Sequence, residues 1–285
     1  MAQGNSGRKP SGKAAGGSAS KTPERPKPGG KQTISRKSVA QARKSKSSNR
    51  IQFIVGGIAI VVIAAIIVIG IVMNQKETAV QAPGYGASTQ SVATEANGVV
   101  TVSNPSATGT TPKTIDVYED ALCPICAEFE AQFGQQVAQA VDQGKLIVNV
   151  HMLTFLDSHS YSQNYSTRAA AALLCVAQQG GSQPGMYLTY HSALYASGTQ
   201  PTEGGTSDLT DQQLADLATS KGAPASAAQC ITSGQNMAAA TAANTSSSAS
   251  LSKATGGQVA TPTVVQNGTP VQLSVNWLTT LLGQS

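Results

Sequence analysis

Hydrophobic residues form one long run near the start of the chain. Residues 51–73 follow directly after Arg50, and Gln52 is their only strongly polar member. As a helix with a rise of about 1.5 Å per residue, this run would span roughly 34 Å, which matches the hydrocarbon core of a bilayer. A helix at the surface of a globular domain keeps a polar face, and this run has none. The run therefore predicts a transmembrane helix over residues 51–73.

A signal peptide is the alternative interpretation of this run, because Val80-Gln81-Ala82 resembles a cleavage site. The run is longer than the usual apolar core of about 7–15 residues, and a leader of about 50 residues before it is unusual. The pattern therefore favours an uncleaved anchor. Residues 1–50 carry 13 Lys and Arg against a single acid, Glu24. Because basic flanks stay in the cytoplasm, everything after residue 73 is expected outside.

The composition divides the remaining chain further. Residues 1–50, rich in Gly, Ser, Lys and Pro, predict a disordered basic tail. The tail has no aromatic residue to stack a base, which argues against nucleic-acid binding. Residues 74–97, rich in Ala, Thr, Gly and Ser, predict a flexible extracytoplasmic stalk, and residues 99–102 are compatible with a short edge strand at its end.

Beyond residue 98 the spacing of apolar residues indicates a folded domain. Residues 114–118 alternate as a strand does, and residues 146–153 form an aliphatic run typical of a central strand covered on both faces. Between them, residues 124–143 are predicted to form an amphipathic helix. Its large apolar residues recur at every fourth position: Phe129, Phe133, Val137 and Val141.

A helical block and a hairpin follow. Five segments have helical patterns: residues 162–179, 186–196, 210–221, 223–233 and 235–254. Residues 259–265 and 270–273 flank Asn267-Gly268, a strong hairpin signal, and residues 276–282 predict a last helix. The order strand, helix, strand, helical block, hairpin, helix predicts an α/β fold over residues 98–285, with a helical insertion at about residues 160–255.

The motif Cys123-Pro124-Ile125-Cys126 lies between a predicted strand and a predicted helix. A helix N-terminus presents unpaired N–H groups and about half a positive charge, and both lower the pKa of a thiol there. Pro124 suits the first turn, where its missing N–H is not needed. Cys123 is then expected to be the exposed nucleophile, and Cys126, one turn deeper, to release a mixed disulfide.

Other interpretations of the cysteines stay open. The motif could be a tight structural disulfide without chemistry, or half of a zinc site. Zinc needs further ligands, but Cys175 and Cys230 are isolated, and His151, His159 and His191 form no ligand pair. Four cysteines allow three connectivities. We favour a structural bridge between Cys175 and Cys230, the alternative being two buried, unpaired thiols.

Two segments resemble the DsbA-like branch of the thioredoxin superfamily. The first is residues 116–126, a strand that leads into the CPxC motif, and the second is residues 261–268, Thr-Pro-Thr-Val-Val-Gln-Asn-Gly. The resemblance covers about residues 98–285 and implies a thioredoxin-like fold with inserted helices. It also implies that Pro262 follows a cis bond and packs against the active-site disulfide, and that the backbone of Thr261 pairs with an extended substrate.

The dipeptide between the two cysteines departs from that family. The archetypal DsbA has Pro-His and thioredoxin has Gly-Pro, whereas this chain has Pro124-Ile125. Ile125 cannot donate a hydrogen bond towards the Cys123 sulfur, so the thiolate should be less stabilised and the protein a milder oxidant. Glu119 and Asp120, just before the motif, are candidate modulators of the site or proton relays.

The resemblance implies an enzyme that oxidises cysteine pairs of exported, still unfolded proteins through a Cys123–Cys126 disulfide, with no metal or cofactor. It further implies a membrane partner, a quinone-linked oxidase, that reoxidises the pair. The resemblance also implies a bacterial protein, and with an anchor at residues 51–73 its catalytic domain is expected outside the cytoplasm. Two alternatives remain, a reductase or isomerase of the same fold and a non-catalytic binding or sensor module.

Overall fold

The computed structural model of the protein describes residues 84–283. The predicted tail at residues 1–50, the predicted transmembrane helix at residues 51–73 and the first part of the predicted stalk lie outside the described residues. Between residues 84 and 283, no helix is both long enough and apolar enough to cross a bilayer. The described chain forms a mixed β-sheet with helices packed on it, which confirms the predicted α/β class.

One six-stranded sheet has the order β1-β2-β4-β3-β5-β6. Its strands are β1 (Val92–Ala96), β2 (Val99–Ser103), β3 (Lys113–Glu119), β4 (Leu146–Met152), β5 (Thr263–Gln266) and β6 (Thr269–Pro270). Strands β3 and β4 run parallel, and every other neighbouring pair in this sheet is antiparallel. The aliphatic residues of the two central strands are buried, as expected for strands covered on both faces: Ile115, Val117, Leu146, Val148 and Val150.

The helices flank this sheet. They are α1 (Pro124–Phe129), α2 (Gln135–Asp142), α3 (Tyr165–Gly180), α4 (Met186–Leu194), α5 (Asp211–Ser220), α6 (Ala225–Thr232), α7 (Met237–Thr255) and α8 (Trp277–Leu281). A π turn, Glu130–Gly134, joins α1 to α2, so that residues 124–142 form one helical stretch. The five predicted helices of the block correspond to α3–α7, and their ends lie within three residues of the predicted ones.

A disulfide joins two helices of this block. Cys175 lies in α3 and Cys230 in α6, 55 residues apart in the chain, and both are buried. This is the connectivity that the sequence favours. Since α3 is buried on nearly all sides, the bridge fastens α6 to the centre of the domain.

The domain begins earlier than the sequence predicts. Residues 92–96, which the composition assigned to the stalk, form β1 at the edge of the sheet, and β2 is an inner strand rather than an edge. The turn between them is Asn97-Gly98, with φ values of 54° and 79°. Positive φ at both residues is the geometry that an Asn-Gly hairpin adopts. Pairing with β2 therefore stabilises β1 as a strand, although its composition alone suggests a linker.

A single carboxylate fastens residues 85–91, also part of the predicted stalk, to the end of α2. Asp142 accepts hydrogen bonds from the Ser88 hydroxyl at 2.6 Å, the Thr89 N–H at 2.7 Å, the Ser91 N–H at 2.9 Å and the Tyr85 hydroxyl at 2.9 Å. Burial alone would raise the pKa of Asp142, but these hydrogen bonds hold it below its usual value. We call this arrangement the Asp142 clasp.

Candidate active site

The two cysteines of the CPxC motif lie where the chain passes from β3 into α1. Cys123 is the residue before α1 and has extended backbone angles, with φ −71° and ψ 116°, and Pro124 occupies the first turn. Cys126 is fully buried, while Cys123 is 6% exposed and lies beside the exposed Pro124 and the half-buried Ile125. Both thiols are free, so the structure describes the reduced pair.

The two thiols differ in acidity. A hydrogen bond from the Cys126 thiol lowers the pKa of Cys123 and outweighs the opposing effect of burial, and the backbone N–H of Cys126 adds to it. Burial raises the pKa of Cys126 well above its ordinary value, and the neighbouring Cys123 and the carboxylate of Glu119 raise it further. Cys123 is therefore the thiol that ionises first, and Cys126 is the one that keeps its proton.

The Thr261–Pro262 segment faces Cys123. The bond between these residues is cis, and the Cys123 thiol donates to the carbonyl oxygen of Thr261 at 3.5 Å. The two segments are 138 residues apart in the chain. They meet because β5, which begins one residue after Pro262, pairs antiparallel with β3, so that Thr263 lies opposite Tyr118. Pro262 has no N–H and so presents no donor to the sulfur atoms.

Asp120 holds the turn before Cys123. Its buried carboxylate accepts hydrogen bonds from the Leu122 N–H at 2.9 Å, the Leu156 N–H at 3.1 Å and the Ser166 hydroxyl at 2.6 Å. Its backbone carbonyl accepts from the Cys123 N–H at 3.0 Å. Burial raises the pKa of Asp120 to about 6, even though these hydrogen bonds act to lower it. Asp120 thus joins the turn, the loop after β4 and the start of α3.

Gln200 contacts the other side of the same turn. It lies in the loop between α4 and α5 and is half-buried. Its side-chain Nε2 donates to the carbonyl oxygens of Ala121 at 3.1 Å and of Cys123 at 3.0 Å. A side chain from the helical block therefore holds the backbone on both sides of Leu122.

A charged cluster, which we call the Glu–His–Glu triad, is buried behind Cys126. His191 Nε2 lies 3.0 Å from Glu119 Oε2, and His191 Nδ1 lies 3.6 Å from Glu130 Oε2. Burial alone would lower the pKa of His191, but Glu130 and Glu119 together raise it to about 10. Burial and the charge of Glu130 raise the pKa of Glu119 to about 7. The His191 ring therefore lies between two acidic side chains, and its raised pKa favours the charged imidazolium form.

The triad is the one group among residues 84–283 whose ligand atoms lie close enough together to share a cation. Its geometry does not suit a metal ion, because the two ring nitrogens of His191 face different carboxylates, whereas a metal ion binds one nitrogen of a ring. Cys123 and Cys126 are not part of this group, so the described residues place no zinc ligand set around the CPxC motif.

The structure brings together most of the residues that the sequence singles out: Glu119, Asp120, Cys123, Pro124, Ile125, Cys126, Thr261 and Pro262. Two residues of the site, His191 and Gln200, were not among them. Tyr187 and Tyr195 lie four residues before and after His191, and both rings contact the His191 ring. This spacing of four, which places the three side chains on one side of α4 and its C-terminal end, is the only weak signal for His191 in the sequence. Nothing in the sequence marks Gln200.

Comparisons with known proteins agree with this geometry. A family model described as Thioredoxin matches residues 107–282, more than half of the chain. The reduced disulfide bond oxidoreductase DsbG of Mycobacterium tuberculosis has 32% identity and a TM-score of 0.54, over 65% of this chain and 85% of that one. The oxidised DsbA of the same species has 31% identity and a TM-score of 0.52, over 68% and 91%. The thiol-disulfide oxidoreductase MdbA of Corynebacterium diphtheriae has 27% identity and a TM-score of 0.59, over 73% and 100%.

A curated protein of another kind is also similar. The serine/threonine-protein kinase PknE of Mycobacterium tuberculosis is 42% identical over 140 residues, which are 49% of this chain and 24% of the kinase. The chain thus spans about a quarter of the length of this relative.

Proposed function

The chain belongs to the thioredoxin family and is a DsbA-like thiol-disulfide oxidoreductase, and from this premise we propose that it oxidises cysteine pairs of exported proteins outside the cytoplasm. The observation that carries the proposal is the unequal pair of thiols at the start of α1. In this proposal Cys123, with its lowered pKa, is the nucleophile, and Cys126, with its raised pKa, is the resolving thiol.

The first step joins enzyme and substrate. In the oxidised enzyme Cys123 and Cys126 form a disulfide, and a substrate thiolate attacks the Cys123 sulfur, because Cys126 is fully buried. A bond forms between the substrate sulfur and Cys123, and the Cys123–Cys126 bond breaks. Cys126 leaves as a thiolate and takes up a proton, in keeping with its raised pKa.

The second step releases the product. The second thiolate of the substrate attacks the substrate sulfur of the mixed disulfide, so that a disulfide forms in the substrate and Cys123 leaves as a thiolate. The lowered pKa of Cys123 makes it a good leaving group. The substrate has lost two electrons, and the enzyme holds them as the reduced pair. During both steps, the backbone of Thr261 holds the extended substrate beside Cys123.

Turnover requires an oxidant for the reduced pair, and we assign this role to a quinone-linked membrane protein. The exchange uses only protein sulfur atoms, so neither a metal nor an organic cofactor takes part in it. Three features support a location outside the cytoplasm: the apolar run at residues 51–73, its basic flank, and the Cys175–Cys230 bridge. Disulfides form and persist mainly in oxidising compartments.

Glu119 and Asp120 modulate the two thiols in this proposal. Burial and the neighbouring Cys123 raise the pKa of Cys126, and the carboxylate of Glu119, held by the Glu–His–Glu triad, adds to this effect, so that the resolving thiol keeps its proton. The carboxylate of Asp120 opposes a thiolate on Cys123. The site therefore combines groups that stabilise the Cys123 thiolate with one that limits it, which is consistent with a mild oxidant.

A trapping experiment tests the proposal. In the full-length chain with Cys126→Ser, the Cys123 thiolate can attack a disulfide of an exported protein, so that one substrate sulfur bonds to Cys123 and the other leaves as a thiolate. Because the variant has no Cys126 thiol to displace the bound substrate, these mixed disulfides should accumulate as bands that a reducing agent removes. Cys123→Ser should form no such bands and should lose peptide oxidation. Equal trapping by both variants would contradict the assignment. A reduction potential near thioredoxin's, about −270 mV, would favour a reductase or isomerase instead.

A second candidate is a binding or sensor module without turnover. It is favoured by one finding, the 42% identity to a segment of a kinase. This candidate predicts that Cys123→Ser keeps partner binding unchanged, whereas an oxidase loses its activity with the same change.

A further inference from the structure

The turn that presents Cys123 is held from two sides. Asp120 accepts hydrogen bonds from two N–H groups of the turn: its side chain accepts from the Leu122 N–H, and its backbone carbonyl accepts from the Cys123 N–H. Gln200 donates hydrogen bonds to the carbonyl groups of Ala121 and Cys123 from its single side-chain amide nitrogen. Among residues 84–283 the Ala121 carbonyl has no other hydrogen-bond partner. Asp120 and Gln200 therefore satisfy two N–H groups and two carbonyl groups of the backbone on either side of Leu122.

The position of Gln200 is fixed by its loop. The Gln200 N–H donates to the carbonyl of Ala196 at 3.1 Å, just beyond the end of α4. Farther along the loop, the Gly204 N–H donates to the carbonyl of His159 at 2.8 Å, and His159 Nδ1 lies 2.6 Å from Glu203 Oε1. Because these contacts hold the loop on both sides of Gln200, its amide has a defined place beside the turn.

The contact affects the sulfur through the carbonyl groups. The oxygen atoms of Ala121 and Cys123 carry partial negative charge within two residues of the Cys123 sulfur, and that charge disfavours a thiolate. The Cys123 carbonyl also accepts from the Cys126 N–H at 3.1 Å and the Ala127 N–H at 3.3 Å. The Gln200 N–H groups offset this negative charge and keep the carbonyls turned towards the loop. The Cys126 N–H, which donates to the Cys123 carbonyl, also acts to lower the pKa of Cys123.

We propose that Gln200 is a positioning residue for thiol-disulfide exchange, which orients the Ala121 and Cys123 peptides so that the Cys123 thiolate is stabilised. The inference rests on the proposed redox role of Cys123. It predicts that a side chain of the same length without donors makes the Cys123 thiolate less stable. A less stable reduced form makes the enzyme a weaker oxidant.

The test replaces Gln200 in the full-length chain, solubilised in detergent. Gln200→Glu keeps the shape but presents an acceptor to two carbonyls, and Gln200→Met keeps the length without any donor. The readouts are the pH dependence of Cys123 alkylation, located by mass spectrometry, and the redox equilibrium with glutathione. We expect Gln200→Glu to raise the pKa of Cys123 by about one unit and to lower the equilibrium constant for glutathione oxidation roughly tenfold. Gln200→Met should act in the same direction with about half the shift.

Thr199→Ala is the matched control, because Thr199 is the half-buried neighbour in the same loop and its side chain makes no hydrogen bond to the turn. It should leave both readouts unchanged. If Gln200→Glu and Gln200→Met change only the melting temperature and keep the wild-type pKa and equilibrium, the proposal is overturned. If the wild-type chain itself shows no redox equilibrium at Cys123 and Cys126, the proposed function fails instead, so the two failures are distinguishable.

Discussion

At the scale of single residues, the site depends on a difference in pKa between two cysteines, and their order at the start of a helix already predicts its direction. Their spacing predicts a redox pair, and Thr261-Pro262 predicts what faces it. Other parts of the surroundings come from distant positions: Gln200, which holds the Cys123 carbonyl, lies 77 residues later in the chain, and His191, which faces Glu119, belongs to another helix. Such contacts cannot be predicted from local patterns, because only the tertiary fold brings them to the motif.

Ile125 accounts for one predicted property of the site. A histidine at this position would carry donors, and in its charged form a positive charge, beside the Cys123 thiolate, which isoleucine cannot do. Ile125→His should therefore lower the pKa of Cys123 by one unit or more and raise the equilibrium constant for glutathione oxidation by about tenfold or more. Ile125→Leu, which keeps the apolar character, should leave both unchanged. An Ile125→His variant with wild-type values would contradict the explanation for a mild oxidant.

Asp120 predicts how stability depends on pH. Its pKa is about 6 in the folded chain against an ordinary value of 3.8, so the folded state favours the protonated carboxyl. The free energy of unfolding should therefore be highest below about pH 4 and fall by about 3 kcal/mol as the pH rises through 6. Asp120→Asn cannot ionise, so its profile should be flatter over this range, even though the lost acceptor lowers stability overall. Urea unfolding at pH 4 to 7 measures the free energy of unfolding of the wild-type chain and of the variant. If this free energy changed equally with pH in the two proteins, Asp120 would not be the cause of the pH dependence.

At the scale of elements, short-range patterns predict most of the helices and strands. The alternation in β3, the aliphatic run of β4 and the Asn267-Gly268 turn all indicate what the structure contains. The same Asn-Gly signal at Asn97-Gly98 marks β1 and β2, but the linker-like composition around it conceals the first strand. The second hairpin is shorter than predicted, since β6 has only two residues.

The interruption between α1 and α2 has no counterpart in the predicted pattern, which is a single helix. The π turn Glu130–Gly134 carries Glu130, the acid that faces His191 Nδ1. π turns within helices occur often at functional sites. Here the π turn lies in the helical stretch that begins just after Cys123, and it carries Glu130 to its position beside His191.

The bridge between α3 and α6 gives a prediction about stability. Closing a loop of 55 residues restricts the unfolded chain and stabilises the fold by about 4 kcal/mol at most. Cys175→Ala with Cys230→Ala should therefore lower the free energy of unfolding by up to this amount, as measured by urea denaturation. The redox equilibrium of Cys123 and Cys126 should stay as in the wild-type chain. A change in that equilibrium would show that the bridge takes part in the exchange.

At the scale of the whole molecule, charge separates the chain into two parts. Residues 84–283 carry five Lys and Arg against twelve Asp and Glu, a net charge of −7, whereas the complete chain has a net charge of +5. Two of these acids, Asp157 and Glu203, lie in the loops that also carry Leu156 and Gln200, the residues that contact the turn at Cys123. The folded part therefore presents a negative field to an incoming chain.

This field predicts a preference among substrates. Two unfolded peptides with identical cysteine spacing but net charges of about +3 and −3 should be oxidised at different rates, and the cationic peptide should have a several-fold higher kcat/KM. The difference should shrink at about 0.5 M salt, because screening shortens the range of the field. Stopped-flow measurement of tryptophan fluorescence or thiol loss gives both rates. A preference that is independent of salt would point to direct contacts instead.

The Asp142 clasp has a consequence for Cys123 if residues 51–73 anchor the chain, as proposed. It receives the incoming chain at the far end of the helical stretch that begins beside Cys123, and residues 124–142 at about 1.5 Å each place the two ends roughly 27 Å apart. A domain tethered at that end would carry its reactive thiol at its distal tip. Exported substrate chains in the aqueous space would reach Cys123 directly. An oxidant embedded in the bilayer would reach it only after the domain had rotated towards the membrane. In the proposed arrangement, Cys123 would then meet its substrate and its oxidant in two different orientations of the domain.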